Sequence, residues 1–452
     1  MKSSFYRKIK NWAQAAGSSV AFLPLPMMLG GLLLGVGLYY FETHTSTSQQ
    51  ITGYIPSVAL ASQETARNVL GLFIGGLITL MVFTFTQMMG LFNQVASMYS
   101  PRLLPYFTGD RSLQFTMGYY VGTIMVSLIV LLSIRSDKEG YVPNVSVLFC
   151  ILLGIIALMI FIYFVTSISS KIQSDNVIAT VYQRGIKCLE TKQSDEQLKK
   201  RFPVPRTESW YAITSPIDGY LGSVELAHLS ELAAKFETRF YIGAKKGEYI
   251  PRSFPIIQTE RKLSEAQIEE VLREVSPVRR KYQDWYKPHL DLLIEIAMKA
   301  MSPGINDPGT AVTAIDRING LLTHLMYVPM HNFCREREGG EVWFARDDYD
   351  HVLQDTFVQL RNYSRKDTTV IRALLRMAYT LYAASGKSKN LNNLIQAEIR
   401  AVVSDARANI HNGRDRSAIA TEIIYQRRQT VRFIYATEYL TKGTPANEGI
   451  PL

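Results

Sequence analysis

Residues 68–98 read NVLGLFIGGLITLMVFTFTQMMGLFNQVASM, with no charged residue and no histidine. About 20 apolar residues are enough for a helix to cross the hydrocarbon core of a bilayer. Three further stretches have the same character, at Ala21–Phe41, Leu113–Ile134 and Val142–Ser170. The sequence therefore predicts an integral membrane protein with a four-helix transmembrane domain over residues 21–170.

The distribution of lysine and arginine around these stretches predicts their orientation, because cytoplasmic loops carry an excess of both residues. Residues 1–20 form a basic N-terminal segment, which we assign to the cytosol. The loop from Glu42 to Glu64 contains neither lysine nor arginine, whereas Arg102 and Arg111 mark the next loop as cytosolic. We therefore expect a multi-pass membrane protein with both termini in the cytoplasm.

The composition of the whole chain argues against several classes of function. The net charge of +10 is not gathered into a basic stripe interleaved with aromatic residues, so we expect no nucleic-acid partner. The three cysteines are widely spaced and match neither a disulfide framework nor a zinc site. The four apolar stretches contain no Asp, Glu, Lys, Arg or His, which argues against a proton-coupled transporter.

Motifs that carry catalytic chemistry are also missing. The sequence has no Gly-x-Ser-x-Gly elbow and no His-Glu-x-x-His. Asp347, Asp348 and Asp350 lie together, but acidic residues suit the positive end of a helix that we expect to begin there. We therefore predict that the protein is not an enzyme and has no metal site and no cofactor.

The second apolar stretch carries a stripe of mainly small and polar residues. They recur at alternating steps of three and four, which places them on one face of a helix. Two interpretations stay open: close packing of helices within the bundle, or the lining of a pore surrounded by this helix from several subunits. In the second, Phe83 forms a hydrophobic constriction, and Asn93 with Gln94 lies at the cytosolic mouth. The stripe consists of Gly76, Thr79, Phe83, Thr86, Gly90, Asn93 and Ser97.

The rest of the chain is predicted to be a cytosolic α+β region. Its small β module contains strands at Phe240–Ile242 and Phe254–Thr259, and Ser264–Gln267 is a capping box that opens the first helix after the module. A C-terminal helical bundle completes the fold, which is mainly α. The predicted segments are a helical linker (171–205), the β module (206–262), the helical domain (263–441) and a flexible tail (442–452).

A second distinctive segment, Ser302–Ala311, reads SPGINDPGTA. Its prolines and glycines break the chain, and Asp307 is positioned to cap a helix whose first residue is Pro308. The segment is either a fixed corner between two helices or a polar site that binds a ligand or a neighbouring subunit. Asn306, Asp307 and Thr310 would form that site.

The two segments Asn93–Leu104, which reads NQVASMYSPRLL, and Ser302–Ala311 carry a resemblance to a known family. The chain resembles the bacterial predicted membrane proteins catalogued as domain of unknown function 2254, over about residues 15–385. The resemblance implies four spans followed by a cytosolic region, in a bacterial inner (plasma) membrane. It implies no particular activity.

Two classes of function are compatible with these patterns. The first is a homo-oligomeric inner-membrane ion channel whose pore is lined by the second transmembrane helix. The alternative is a membrane-anchored scaffold or sensor that conducts nothing. The expected partners are the lipid bilayer, further copies of the chain and, for a channel, small ions.

Overall fold

The computed structural model describes residues 20–44, 62–134, 143–171, 173–193, 202–278, 285–328, 332–386 and 388–441. The predicted tail 442–452 and nearly all of the N-terminal segment 1–20 lie outside the described residues. By its internal contacts the chain divides into two units, Met1–Val177 and Ile178–Leu452. We call them the membrane unit and the C-terminal unit.

Four helices of the membrane unit are long and apolar enough to cross a membrane. Helices form here because a chain in hydrocarbon has to satisfy its backbone hydrogen bonds internally. The predicted mainly helical membrane class with four spans is confirmed. The spans are α1 (Pro24–His44), α2 (Gln63–Met98), α4 (Arg111–Ser133) and α5 (Asn144–Lys171), and a 3₁₀ turn (Pro101–Leu103) and α3 (Leu104–Thr108) connect α2 to α4.

The third span, α4, is the centre of the membrane unit and contacts α1, α2 and α5. Its contact with α1 is close because glycines meet there. A side chain added at Gly31 would place its Cβ 2.4 Å from the carbonyl oxygen of Gly122. Small residues of this kind let transmembrane helices approach each other.

Charged side chains satisfy two helix ends of the membrane unit. The buried Glu42 carboxylate accepts a hydrogen bond from the Ser146 backbone N–H at 2.9 Å, in the first turn of α5. Pro143, which precedes α5, has no side-chain acceptor, so Glu42 of α1 takes the place of a capping residue. The Arg67 guanidinium donates to the carbonyl oxygen of Ile134 at 2.7 Å, just after α4 ends.

The C-terminal unit mixes helices with short strands. Its sequence combines short strands rich in β-branched and aromatic residues with amphipathic helices. The strands and short helices of residues 211–275, together with Val342, share one apolar core. The first elements are α6 (Ser174–Gln193), β1 (Tyr211–Thr214), β2 (Gly219–Val224), α7 (Leu226–Lys235), β3 (Phe240–Ile242), β4 (Tyr249–Ile250), β5 (Pro255–Thr259), α8 (Glu265–Glu274) and β6 (Val275–Val278). The remainder are α9 (Tyr286–Ala300), α10 (Pro308–Met326), β7 (Phe333–Cys334), β8 (Val342–Phe344), α11 (Tyr349–Ser364), α12 (Thr368–Ala384), α13 (Lys389–Asn409) and α14 (Gly413–Thr441).

The strands form two sheets, in the orders β1-β5-β3-β8-β7 and β4-β2-β6. All described pairs are antiparallel except β3 with β8, which are parallel. Sequence patterns predict strands only within residues 206–262, whereas β6, β7 and β8 come from the segment predicted to be helical. These strands are two to four residues long, too short for an alternating pattern to stand out.

Helices dominate the end of the chain, with α12 at their centre, in contact with α10, α13 and α14. The predicted helix starts agree with the structure. Ser264 and Gln267 form a capping box at α8, and Asp307 caps α10 at Pro308.

Candidate functional site

The stripe on α2 is exposed along its whole length. All seven of its residues, from Gly76 to Ser97, are exposed, whereas Leu70, Leu77 and Met88 on the same helix are buried against the rest of the membrane unit. At about 100° per residue the stripe lies roughly 180° around the helix from that buried face. Apart from a ring contact of Phe83 with α5, the stripe therefore faces away from the described helices of its own chain.

The two threonine hydroxyls of the stripe are satisfied within α2. Thr79 Oγ1 donates to the Gly75 carbonyl oxygen and Thr86 Oγ1 to the Val82 carbonyl oxygen, each at 2.9 Å. The amide of Asn93 lies exposed near the end of the helix, beside Gln94. Because the threonine hydroxyls need no outside partner, Asn93 is the stripe residue that gains most from water or another polar group.

Phe83 is the aromatic residue of the stripe. Its side chain is 44% exposed, and its ring makes an edge-to-face contact with Phe161 of α5, at 5.7 Å between centroids. This contact orients the ring, because aromatic pairs prefer such a geometry. Phe83 is thus anchored on the chain's own fourth span while part of its surface faces outward.

The glycines of the stripe have no packing role within the single chain. A Cβ added at Gly76 or Gly90 would meet nothing within 4 Å among the described residues. At Gly154 of α5, by contrast, the Cβ would lie 1.5 Å from the ring of Phe73. Glycine inside a helix costs up to about 1 kcal/mol relative to alanine. Contacts within the chain account for Gly154 but not for Gly76 and Gly90.

The segment Ser302–Ala311 forms the hydrogen-bonded turn between α9 and α10 and the first turn of α10. Asn306 has a φ of 47°, a left-handed conformation that asparagine tolerates better than most residues. The backbone N–H of Asn306 donates to the Ser302 carbonyl oxygen at 2.9 Å, and that of Asp307 to the Ala300 carbonyl oxygen at 2.8 Å. These bonds close the turn.

Asp307 and Thr310 use their polar atoms on each other. Asp307 Oδ1 accepts the backbone N–H of Thr310 at 3.1 Å, and Oδ2 accepts the Thr310 hydroxyl at 2.5 Å. These hydrogen bonds, first from the Thr310 side chain and then from its backbone, lower the pKa of the Asp307 carboxyl. The geometry is that of a helix cap. The Asn306 side chain, which belongs to the predicted polar site, takes no part in this cap.

Sequence patterns did not reveal a buried charge cluster at Asp347. Its side chain is 8% exposed and lies between two lysines, with Oδ1 3.3 Å from Lys245 Nζ and Oδ2 3.2 Å from Lys287 Nζ. Burial lowers the pKa of the neighbouring Arg346 guanidinium. Burial raises the pKa of the Tyr286 hydroxyl, and the negative charge of Asp347 raises it further. Asp347 therefore ties the turn after β3 to α9 instead of serving the start of α11.

Metal-ligating groups are not clustered. Among the described residues, no group of three or more His, Cys, Asp or Glu side chains could hold a metal ion. The three cysteines form no disulfide.

Comparison with known proteins adds the family. The family model described as a predicted membrane protein (DUF2254) matches residues 17–380. The chain belongs to the DUF2254 family. Both segments that carry the resemblance, Asn93–Leu104 and Ser302–Ala311, lie within the match, whereas α13 and α14 lie beyond it.

Two mycobacterial proteins are similar to this DUF2254 protein. The uncharacterised proteins Mb1321c of Mycobacterium bovis and Rv1290c of Mycobacterium tuberculosis are 23% identical to it over 381 residues. The alignments cover 79% of this chain and 73% of each relative. No solved structure matches the chain. Any function has to be argued from the residues themselves.

Proposed function

We propose that this DUF2254 protein assembles as a homo-oligomer in a bacterial inner membrane and passes small ions along an axis lined by α2. One observation carries the proposal. The stripe is exposed on the face of α2 opposite the one that packs within the chain. A face of glycine, hydroxyl and amide groups gains little from contact with lipid, whereas copies of it around an axis would enclose water.

Phe83 is the proposed hydrophobic constriction. Its contact with Phe161 orients the ring, so copies of Phe83 around the axis would narrow it at one level. Asn93 and Gln94 would lie at the cytosolic mouth, with both termini and the C-terminal unit in the cytoplasm. A ring of amides carries no net charge, so selectivity among small ions would be modest.

Ion flux into liposomes that hold the purified protein tests the proposal. Phe83→Ala is compared with wild type and with Phe85→Ala, a matched control. Phe85 is also exposed and lies two residues away on α2, but it is outside the stripe. We expect Phe83→Ala to raise the flux and Phe85→Ala to leave it at the wild-type level.

Equal flux in the two variants would show that Phe83 is not the constriction. Absence of flux from all three proteins, each shown to be folded and oligomeric, would refute the proposed ion-channel function.

A non-conducting scaffold or sensor is the second candidate, and one observation favours it. The hydroxyls of Thr79 and Thr86 are bonded to carbonyl oxygens of α2 itself, so the stripe does not require water. Under this alternative the stripe is a contact between subunits. A folded oligomer without flux would support it.

A further inference from the structure

Cys188 and His289 lie together although 101 residues separate them in the chain. Cys188 is on α6 and His289 on α9, both within the C-terminal unit. The Cys188 Sγ atom is 3.7 Å from His289 Nε2, within hydrogen-bonding distance for sulfur. A thiol and an imidazole in contact are the two groups that cysteine nucleophiles require.

Gly185 makes this approach possible. It precedes Cys188 by three residues, so both lie on the same face of α6. A Cβ at position 185 would lie 3.2 Å from His289 Cβ and 2.6 Å from Leu321 Cδ1 of α10. The missing side chain therefore lets α9 and α10 come close to α6 at the level of the thiol.

The side chains of His289 and Cys188 differ in how deeply they are buried. His289 is 3% exposed, so its ring is held by the surrounding core, whereas Cys188 is only half-buried. The other two cysteines are both buried, and Cys150 lies in the fourth span. Cys188 is thus the most accessible of the three thiols, and it has a base in contact with it.

We propose that Cys188 is a modification site that reacts with low-molecular-weight disulfides, with His289 as the base that activates the thiol. With Nε2 unprotonated, the imidazole accepts the thiol proton and leaves a thiolate. The thiolate attacks one sulfur of the disulfide, so a new S–S bond forms on Cys188 as the original one breaks. The departing thiolate leaves with the electron pair of that bond and takes the proton from the His289 imidazolium.

The test uses the full-length protein in detergent and 4,4′-dithiodipyridine as the disulfide. The rate of adduct formation at Cys188, located by mass spectrometry of the peptide, is measured from pH 5 to 9. A free thiol has a pKa of about 8.5. We expect the rate in wild type to reach half its maximum at a pH clearly below that value. His289→Gln should move this midpoint upward and slow the reaction near pH 7 by roughly tenfold for each unit of displacement.

The matched control is His324→Gln. His324 is exposed on α10, where its ring nitrogen Nδ1 contacts the Gly320 carbonyl oxygen, and the substitution should leave the Cys188 profile unchanged. A wild-type midpoint at or above that of a free thiol would overturn the proposal even if His289→Gln failed to fold. A folded His289→Gln protein with the wild-type profile would equally overturn it.

Discussion

Neighbouring glycines on α1 allow the packing of the membrane unit to be tested with two single substitutions. A Cβ at Gly31 would lie 2.4 Å from the Gly122 carbonyl oxygen and 2.9 Å from its Cα, so backbone faces backbone and no side-chain rotation can relieve the clash. A Cβ at Gly30 would meet nothing within 4 Å among the residues that the structure describes. Alanine favours the helix over glycine by the same amount, up to about 1 kcal/mol, at both positions.

That common helix-propensity term cancels when the two variants are compared. Overpacking of a well-packed contact costs about 1–3 kcal/mol, so Gly31→Ala should be less stable than Gly30→Ala by about that amount. Gly30→Ala itself should match or slightly exceed the stability of wild type. The α1–α4 contact, and not helix propensity, would account for the difference.

Reversible unfolding in mixed micelles, followed by far-ultraviolet circular dichroism as the fraction of denaturing detergent rises, gives the free energy of unfolding of each variant. Equal free energies for Gly30→Ala and Gly31→Ala would refute the close approach of α1 and α4 at Gly122. A larger loss for Gly30→Ala would place the contact on the wrong face of α1.

Three further predictions concern charged groups. Asp347→Asn leaves two lysines facing each other and should lower the free energy of unfolding of the C-terminal unit by about 1–3 kcal/mol, measured by tryptophan fluorescence in urea; the more exposed Asp348→Asn should cost less. Asp307→Ala should cost about 1 kcal/mol at neutral pH. Because the pKa of Asp307 is lowered in the folded protein, its stabilisation is present above the ordinary carboxyl pKa and is lost as pH falls through the lowered one, so wild type and variant should converge in acid. Glu42→Ala leaves the Ser146 N–H unpaired and should cost about 1–3 kcal/mol in the micelle assay, whereas Glu42→Gln keeps an acceptor and should cost less than about 1 kcal/mol.

Features that depend on neighbouring residues could be predicted from the sequence. The four spans could be predicted from the length of apolar chain that a bilayer requires. The helix cap could be predicted because Asp307 lies three residues before Thr310, whose backbone N–H it accepts. The exposure of the stripe could not be predicted, because its seven residues would have the same spacing if they packed inside the bundle. Which face of α2 is buried depends on contacts with α4 and α5.

Features that depend on distant residues could not be predicted. Asp347 lies in an acidic cluster that suits a helix start, yet its two lysines come from residues 245 and 287. Cys188 and His289 each look like an isolated core residue until α6 and α9 are packed together. No local pattern records such a pair, because the fold brings the two side chains together only after distant segments have met.

The parallel pairing of β3 with β8 has a consequence for the order in which the protein is made. During synthesis, β1, β3 and β5 emerge long before β8, which follows β3 by about a hundred residues. Until Val342 leaves the ribosome, β3 has an unpaired edge that invites contact with other chains. Nascent chains that stop before β8 should therefore aggregate or recruit chaperones, and the small sheet should be completed only near the end of translation.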